Sequence, residues 1–254
     1  TAAAVALASE YIRRRDPDAI IANIASDHVI ANSEAFTDIL LTSFETVTKF
    51  PDRLVIMGIN PTAPDTGFGY IKMGDELGSV QGHRIFSIDS FKEKPDQKTA
   101  EEYLKNWEYL WNAGYFIFSA KTLRLLLERL TPSASSAIDA LLGETPDSSF
   151  YKNLSNEPFD IAIIERLSPS ELVVIPAPLE WSDIGNWSAL FDLLEKQRGT
   201  SIIARGEHID VGSTKCLVLS NTKLVATIGL KDIVVVETDD CILVADKSHA
   251  PEVK

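Results

Sequence analysis

Patterns typical of helices and of buried strands alternate along residues 1–199 of this chain of 254 residues. Residues 2–15 and 33–49 carry apolar side chains at helical spacing. Short apolar runs, which are typical of buried strands, follow them at 18–26 and 53–59. Such alternation favours parallel strands in a sheet that is covered by helices. We therefore predict an α/β fold for this part of the chain.

The same pattern continues to residue 199. Further strands are predicted at 68–73, 83–91, 114–120 and 171–177. Further helices are predicted at 98–107, 121–130, 159–167 and 186–197. Local capping rules favour Ser33 and Asn186 as N-caps of two of these helices, with Gly199 just beyond the end of the last one.

Residues 200–254 contain segments of another kind. Over 200–246, five short strand-like runs are separated by turn residues, and no helical pattern occurs. Short strands at regular spacing are typical of a sandwich, a barrel or a β-solenoid. We therefore predict two domains, an α/β domain at 1–199 and a smaller β-rich domain at 200–254.

The net charge of −13 and the pI of about 4.7 exclude some classes of function. An acidic surface repels nucleic acids and anionic membranes, so we expect neither as a partner. The sequence shows no signal peptide and no run of about 18 apolar residues, so it predicts no transmembrane helix. Cys216 and Cys241 lie in apolar strand-like runs. We interpret them as small buried residues rather than as a disulfide, which favours a reducing cytoplasm.

Two aspartates occupy unusual positions in the sequence. Asp27 directly follows the predicted strand at 18–26, and ligands of open α/β sheets bind beyond the carboxyl ends of the strands. Asp183 lies between Trp181 and Trp187, which are of a residue type that is usually well buried. A carboxylate at the position of Asp27 suits a metal ion or a sugar hydroxyl, and a turn or an N-cap is the structural alternative.

Seven more residues combine a polar or flexible character with a strand end, a turn or a short helix. They are Gly69, Glu93, Lys94, Asn112, Asp160, Glu165 and Arg166. A glycine lets a backbone approach a ligand, carboxylates and amides bind sugar hydroxyls, and a lysine can meet a phosphate. A plain turn, solvated charges and a buried amide bonded to the backbone are the alternatives.

The sequence contains no zinc spacing, no catalytic serine motif, no G-x-G-x-x-G and no P-loop. The carboxylates are therefore the strongest chemical candidates.

Seven segments follow one another along the chain: SDHVI, TGFGYI, FKEKP, WNAGYFIF, FDIAIIER, WSDIGNW and LVATIGLKDIVVVETDDCILVADK. In this order they resemble the sugar-1-phosphate nucleotidyltransferases, and among them the bacterial mannose-1-phosphate guanylyltransferases, or GDP-mannose pyrophosphorylases. The resemblance extends over essentially all 254 residues. It implies a nucleotide-diphospho-sugar transferase fold, a Rossmann-like mixed sheet with flanking helices, followed by a β-rich part of left-handed β-helix character.

The resemblance also implies a reaction, in which GTP and mannose 1-phosphate give GDP-mannose and pyrophosphate with Mg²⁺ as the cofactor. Asp27 and Asp183 would then be the catalytic metal pair, with Trp181 and Trp187 holding Asp183 in place. The substrates would be bound, by the same resemblance, by Gly69, Glu93, Lys94, Asn112, Asp160, Glu165 and Arg166. Among these, Glu93 and Asn112 would bind the mannose hydroxyls, and Lys94 would face a phosphate.

Two departures from the family pattern bear on function. The family carries a Gly-rich triphosphate-binding loop with Arg and Lys on its first strand, and no such segment is present. We therefore expect an N-terminally truncated catalytic domain with an exposed sheet edge, which alone forms no GDP-mannose. The family usually has a lysine at the position of Arg166, and the planar guanidinium is not equivalent to a point charge.

Other functions stay open at this point. The chain could be a non-catalytic relative that binds nucleotide sugars as a regulatory subunit, or a nucleotidyltransferase for another sugar 1-phosphate. A metal-dependent retaining glycosyltransferase also uses aspartates at strand ends, but it usually needs a D-x-D pair, and SDH is not one. The base preference and assembly into a homodimer also stay open.

Overall fold

A computed structural model describes residues 1–143, 149–152 and 154–253. Contacts divide the chain into two units, the first made of 1–26 and 31–180 and the second made of 27–30 and 181–254. The division falls before the boundary proposed from the sequence, between 199 and 200. Within the described ranges, no helix is long and apolar enough to cross a membrane.

The described residues form fourteen strands, in the order β1 (Ile20–Asn23), β2 (Val29–Ile30), β3 (Leu54–Ile59), β4 (Gly69–Val80), β5 (His83–Lys92), β6 (Tyr109–Ser119), β7 (Leu172–Ala177), β8 (Trp181–Ser182), β9 (Ile202–Arg205), β10 (His208–Val211), β11 (Cys216–Leu219), β12 (Val225–Ile228), β13 (Ile233–Glu237) and β14 (Ile242–Asp246). They also form eight α-helices, α1 (Ala2–Arg15), α2 (Ser33–Lys49), α3 (Gln97–Leu104), α4 (Ala120–Leu130), α5 (Pro132–Leu141), α6 (Ser149–Lys152), α7 (Phe159–Ala162) and α8 (Trp187–Arg198). Every predicted strand and helix has a counterpart among these elements, whereas β2, β8, β10, α5 and α6 were not predicted.

The first unit is built on a six-stranded sheet in the order β1-β6-β3-β7-β5-β4, in which the first residues of β4 also pair with β6. Only β3 and β7 run parallel, and the other neighbours pair in antiparallel fashion. This mixed sheet with flanking helices confirms the fold class that the family resemblance implies. The mainly parallel sheet favoured by the alternation alone is wrong.

A two-residue turn gives one reason for the antiparallel pairing. Gln81 and Gly82 join β4 to β5, and their φ angles are 48° and 84°. Two consecutive residues with positive φ are typical of the hairpin turn that connects twisted antiparallel strands. Parallel strands need a crossover of a dozen or more residues, which this connection cannot supply.

The centre of the sheet is more deeply buried than its β1 edge. All six residues of β3 are buried, as expected of a strand that is covered on both faces. Ile20–Asn23 are only half-buried, so the prediction of a buried strand at 18–26 is wrong in this respect. The reason is that β1 pairs with β6 alone, and its other side meets no strand in the part of the chain that the structure describes.

Helix α2 shows how packing differs from the apolar pattern. Its N-cap is Asn32, whose side chain accepts from the Ala35 N–H at 3.0 Å, so the predicted cap Ser33 is wrong. The buried face includes Thr42, Ser43 and Thr46, besides two apolar residues. Each of these hydroxyls donates to the carbonyl four residues earlier, at 2.7–2.9 Å, so a polar side chain can be buried there.

The second unit contains the short parallel strands β9 to β13, which we call the β coils. Its four-stranded sheet has the order β14-β13-β11-β9, and a separate sheet pairs β10 with β12. Two of the three parallel strand pairs have a spacing of 17 residues, His208 with Val225 and Leu217 with Val234, and the third pairs Ile202 with Cys216 at a spacing of 14. Short parallel strands that pair at such a recurring step are typical of a β-solenoid rather than of a sandwich or a barrel. Helix α8 belongs to this unit because Phe191 packs against Ile203 and the core of the coils.

The two cysteines differ in environment. Cys216 is buried in β11, as predicted. Cys241 is exposed and lies in the turn before β14, where its sulfur is 3.2 Å from Thr238 Oγ1, so its predicted burial is wrong. Both thiols are free.

Candidate active site

The two aspartates predicted to hold a metal lie at one end of a short ribbon in the second unit. Strands β2 and β8 pair in antiparallel fashion, with Val29 opposite Ser182. Continuing this register by one residue places His28 opposite Asp183, with Asp27 next along the chain. Two carboxylates that are 156 residues apart in sequence are thereby brought to adjoining strand ends.

The turn after β8 leaves room for the Asp183 side chain. Ile184 has a φ of 49°, and its N–H donates to Ser182 Oγ at 3.2 Å. A Cβ at Gly185 would lie only 2.5 Å from Asp183 Oδ2, so a larger residue would displace this carboxylate. Asn186 then caps α8 by accepting from the Ala189 N–H at 3.0 Å, which confirms the predicted cap.

The two tryptophans beside this turn have different partners. Trp187 packs against the apolar core of the β coils. The Trp181 ring meets His28 edge-on with ring centroids 5.1 Å apart, and its Nε1–H donates to His28 Nδ1 at 3.1 Å. Both tryptophans are half-buried rather than fully buried. The Trp181–His28 contact could not be foreseen, because it depends on the unpredicted pairing of β2 with β8.

A second group of predicted residues meets in the first unit. Gly69 and Asn112 are partners across β4 and β6. A Cβ at Gly69 would lie 2.5 Å from Glu93 Oε2 and 3.4 Å from the Cβ of Asn112. The absence of a side chain at Gly69 therefore makes room for the Glu93 carboxylate beside this pair of strands.

The Asn112 side chain connects this group to α7. Asn112 is only 8% exposed, and its Oδ1 accepts from the Gly114 N–H at 3.0 Å. Its Nδ2 donates to Asp160 Oδ1 at 2.7 Å. Because a backbone N–H can only donate, these two bonds together fix which way the amide points. Asn112 therefore orients Asp160 in the first turn of α7.

A cavity of about 360 Å³ lies beside Glu93 within the first unit. Its polar lining consists of Glu93, Glu165, Ser90 and Lys92. The apolar lining comes from Ile88, Phe91, Ile164, Leu167, Pro169 and Leu172. Sequence reasoning missed Ser90 and Lys92, although both lie on β5 directly before the predicted residue Glu93.

Glu93 has an electrostatic environment rich in negative charge. Burial is the main cause that raises the pKa of this carboxyl above its ordinary value, and the neighbouring carboxylates of Asp160 and Glu165 raise it further. Lys94 opposes this rise, with its Nζ 3.7 Å from Glu93 Oε1. The excess of acceptors over cations suits a ligand that offers hydroxyl groups.

Lys94 borders this cluster of acceptors, and Arg166 lies outside it. The Lys94 side chain is 64% exposed, and its backbone has a φ of 41°. Arg166 donates to Glu157 Oε1 at 2.9 Å and to the Leu130 carbonyl at 3.3 Å, and it does not line the cavity. The structure thus brings Gly69, Glu93, Asn112, Asp160 and Glu165 together but not Arg166.

The donor set beside Asp183 suits a hard divalent cation. Among the described residues, no group of three or more His, Cys, Asp or Glu side chains could hold a metal ion. Mg²⁺ does not need such a group, because it is commonly held by one or two carboxylates together with water and substrate phosphates. The pair formed by Asp27 and Asp183 offers this kind of set.

A mixed α/β sheet with acceptors gathered beside one cavity, followed by parallel β coils, is the arrangement expected of a nucleotide-sugar transferase. Residues 1–199 match the family described as nucleotidyl transferase. Residues 206–254 match the MannoseP isomerase/GMP-like beta-helix domain. The chain therefore belongs to the nucleotidyl transferase family.

Individual relatives agree with this assignment. The mannose-1-phosphate guanylyltransferases of Klebsiella pneumoniae and Escherichia coli strain K12 are each 33% identical, over 262 and 264 residues. Each match covers 100% of this chain and 54% of the relative, so the chain spans about half the length of these curated relatives. A solved structure from Thermus thermophilus, titled mannose-1-phosphate geranyltransferase, has a TM-score of 0.87 at 29% identity. It is matched over 100% of this chain and 72% of its own.

Proposed function

We propose that the protein transfers GMP from GTP to mannose 1-phosphate, giving GDP-mannose and pyrophosphate. The observation that carries the proposal is the cluster of Gly69, Glu93, Asn112 and Asp160 beside a cavity of about 360 Å³. The relatives named as mannose-1-phosphate guanylyltransferases support the choice of sugar and base. Because the chain spans about half of these relatives, the reaction is proposed for the full-length gene product.

The acceptor cluster would bind the sugar. The Glu93 carboxylate, for which Gly69 leaves room, would accept from two neighbouring hydroxyls of the sugar. The backbone of Gly69 would approach the sugar. Asp160, held by Asn112, would accept from a further hydroxyl. The exposed Lys94 ammonium would reach the phosphate, and Glu165 would close the cavity wall. Arg166 would contribute only after its ion pair with Glu157 opens.

Asp27 and Asp183 would hold Mg²⁺. When bound, the ion would neutralise part of the phosphate charge as two anions approach one another. The chain's own task is positioning, so that an oxygen of mannose 1-phosphate attacks the α-phosphorus in line while pyrophosphate leaves. Gly185, which lies just before the Asn186 cap of α8, would leave Asp183 free to take the position that the ion needs.

Pyrophosphate release by the full-length gene product tests the proposal. We expect release with GTP, mannose 1-phosphate and Mg²⁺, and a much slower release when glucose 1-phosphate or UTP replaces either substrate. Equal rates with these replacements would favour a nucleotidyltransferase for another sugar, and no release with any pair would favour a regulatory relative. Three expectations stay predictions. They are that the 254 residues alone form no GDP-mannose, that the protein is cytoplasmic and that it forms a homodimer.

A further inference from the structure

The hydrogen bond from Trp181 to His28 has a defined direction. An indole N–H can only donate, so His28 Nδ1, 3.1 Å away, must accept. The bond therefore ties the orientation of the imidazole ring to that of the Trp181 indole. The edge-on contact between the two rings, with an interplanar angle of 84°, keeps the indole N–H aimed at this nitrogen.

This bond joins two strands beside both candidate metal ligands. His28 directly follows Asp27, and Trp181 precedes Asp183 by two residues. Strands β2 and β8 are each only two residues long, so few backbone hydrogen bonds hold them together. An isolated two-stranded pairing is marginally stable in water. A side-chain bond across this pair therefore matters for the separation of the two carboxylates.

We propose that Trp181 is a positioning residue, whose indole N–H sets the spacing of Asp27 and Asp183 and thereby the affinity for a divalent cation. This inference rests on the proposed function, because it needs the two aspartates to bind the cation. Residues that orient metal ligands without touching the metal typically change its affinity by about 10–100-fold when they are replaced. Trp181 acts here on the ligands through His28 rather than on the substrate.

Binding of Mn²⁺ to the 254-residue chain, followed by electron paramagnetic resonance, tests the inference. Trp181→Phe keeps an aromatic ring but removes the N–H, and we expect Mn²⁺ affinity to fall by about tenfold or more. Trp107→Phe is the matched control, because it removes an indole N–H from a residue that is 70% exposed and lies in the first unit. His28→Asn retains an acceptor near the Nδ1 position and should bind Mn²⁺ more tightly than His28→Leu.

The outcomes separate this inference from the proposed function. Mn²⁺ binding that is lost in Asp183→Asn and equal in Trp181→Phe and the unmodified chain would overturn the role of Trp181 while leaving the metal site intact. Absence of Mn²⁺ binding to the unmodified chain, or equal binding by Asp183→Asn, would overturn the metal site and the inference with it. Circular dichroism of each variant shows whether it is folded. If Trp181→Phe does not fold, the comparison of His28→Asn with His28→Leu takes its place. Equal Mn²⁺ affinities of these two variants would also overturn the inference.

Discussion

Asn112 Nδ2 lies 2.7 Å from Asp160 Oδ1, and this bond joins the sheet of the first unit to the first turn of α7. The same amide accepts from the Gly114 N–H through its oxygen. A nearly buried amide therefore serves as a bridge between a strand and a carboxylate. Loss of the Asn112 side chain should therefore lower the stability of the first unit as well as change the chemistry of the site.

Replacing Asn112 by alanine should destabilise the first unit. The change leaves the Asp160 carboxylate and the Gly114 N–H without this partner, and a hydrogen bond to a charged group is worth about 1.5–3 kcal/mol. Urea unfolding monitored by circular dichroism measures the loss. Asn23→Ala is the control, because Asn23 makes a neutral bond to the Gly114 carbonyl at 3.2 Å and should cost about 0.5–1.5 kcal/mol. A larger loss for the control would contradict the bridging role of Asn112.

Replacing Gly69 by alanine should weaken the binding of mannose 1-phosphate without unfolding the chain. A Cβ there would come within 2.5 Å of Glu93 Oε2, so the carboxylate must move away. Calorimetric titration with mannose 1-phosphate measures the effect, which we expect to be about tenfold or more, as for the loss of a hydrogen bond to a charged group. Gly67→Ala is the control, because its Cβ would meet only the flexible end of Asp65 at 3.0 Å. Unchanged affinity in Gly69→Ala would remove Glu93 from the site.

Replacing Glu93 by glutamine should stabilise the chain at neutral pH. Burial raises the pKa of Glu93, so the folded state disfavours its charge, and the protein loses stability relative to the variant as the pH rises through the raised pKa. The advantage of the variant should vanish below about pH 4, where the carboxyl is protonated in both states. Melting temperatures at about pH 3.5 and pH 7 check this. The exposed Glu102→Gln should show a smaller pH-dependent difference, and an equal difference would contradict the assignment.

Replacing Glu237 by glutamine should destabilise the β coils. Glu237 is 6% exposed and accepts from the hydroxyls of Ser220 and Thr222 and from three backbone N–H groups at 221–223. These bonds, first that of Ser220, lower the pKa of the carboxyl, so its stabilisation is present above the ordinary glutamate pKa and is lost as the pH falls through the depressed value.

The melting temperature of the coils checks this expectation. Glu237→Gln should melt well below the unmodified chain at pH 7, and the difference should narrow in strong acid. The exposed Glu207, in the same unit, supplies the control Glu207→Gln, which should melt like the unmodified chain. A pH-independent difference for Glu237→Gln would show that packing rather than charge is responsible.

Rules that depend on neighbouring residues predicted most of the helices and strands. Features that depend on how distant strands pair could not be predicted in this way. The α8 cap at Asn186 and the left-handed Gly199 at its end follow from neighbouring residues alone, and both predictions are confirmed. The cap of α2 was assigned to Ser33 instead of Asn32, because both residue types can cap and only the turn geometry selects one. The exposure of Cys241 could not be foreseen, because Cys241 begins an apolar run whose strand, β14, starts only at Ile242.

The candidate site was predictable as a set of residues but not as an arrangement. The family segments point to Gly69, Glu93, Asn112 and Asp160 individually. Their proximity depends on the pairing of β4 with β6 and on the bond from Asn112 to Asp160. Neither is encoded in spacing along the chain, since such contacts arise from how distant strands pair. For the same reason, the sequence did not predict the pairing of β2 with β8, which brings Asp27 and Asp183 to adjoining strand ends.

Calorimetric titration of the chain with GDP-mannose, with and without Mg²⁺, is the decisive test of the metal site. We expect binding that strengthens with Mg²⁺ and loses this dependence in Asp183→Asn, while circular dichroism shows an intact fold. Binding of equal strength with and without Mg²⁺, or equal Mg²⁺ dependence in Asp183→Asn, would contradict the claim that Asp27 and Asp183 hold the metal for a nucleotide sugar. Absence of GDP-mannose binding by the full-length gene product would contradict the proposed function as a whole.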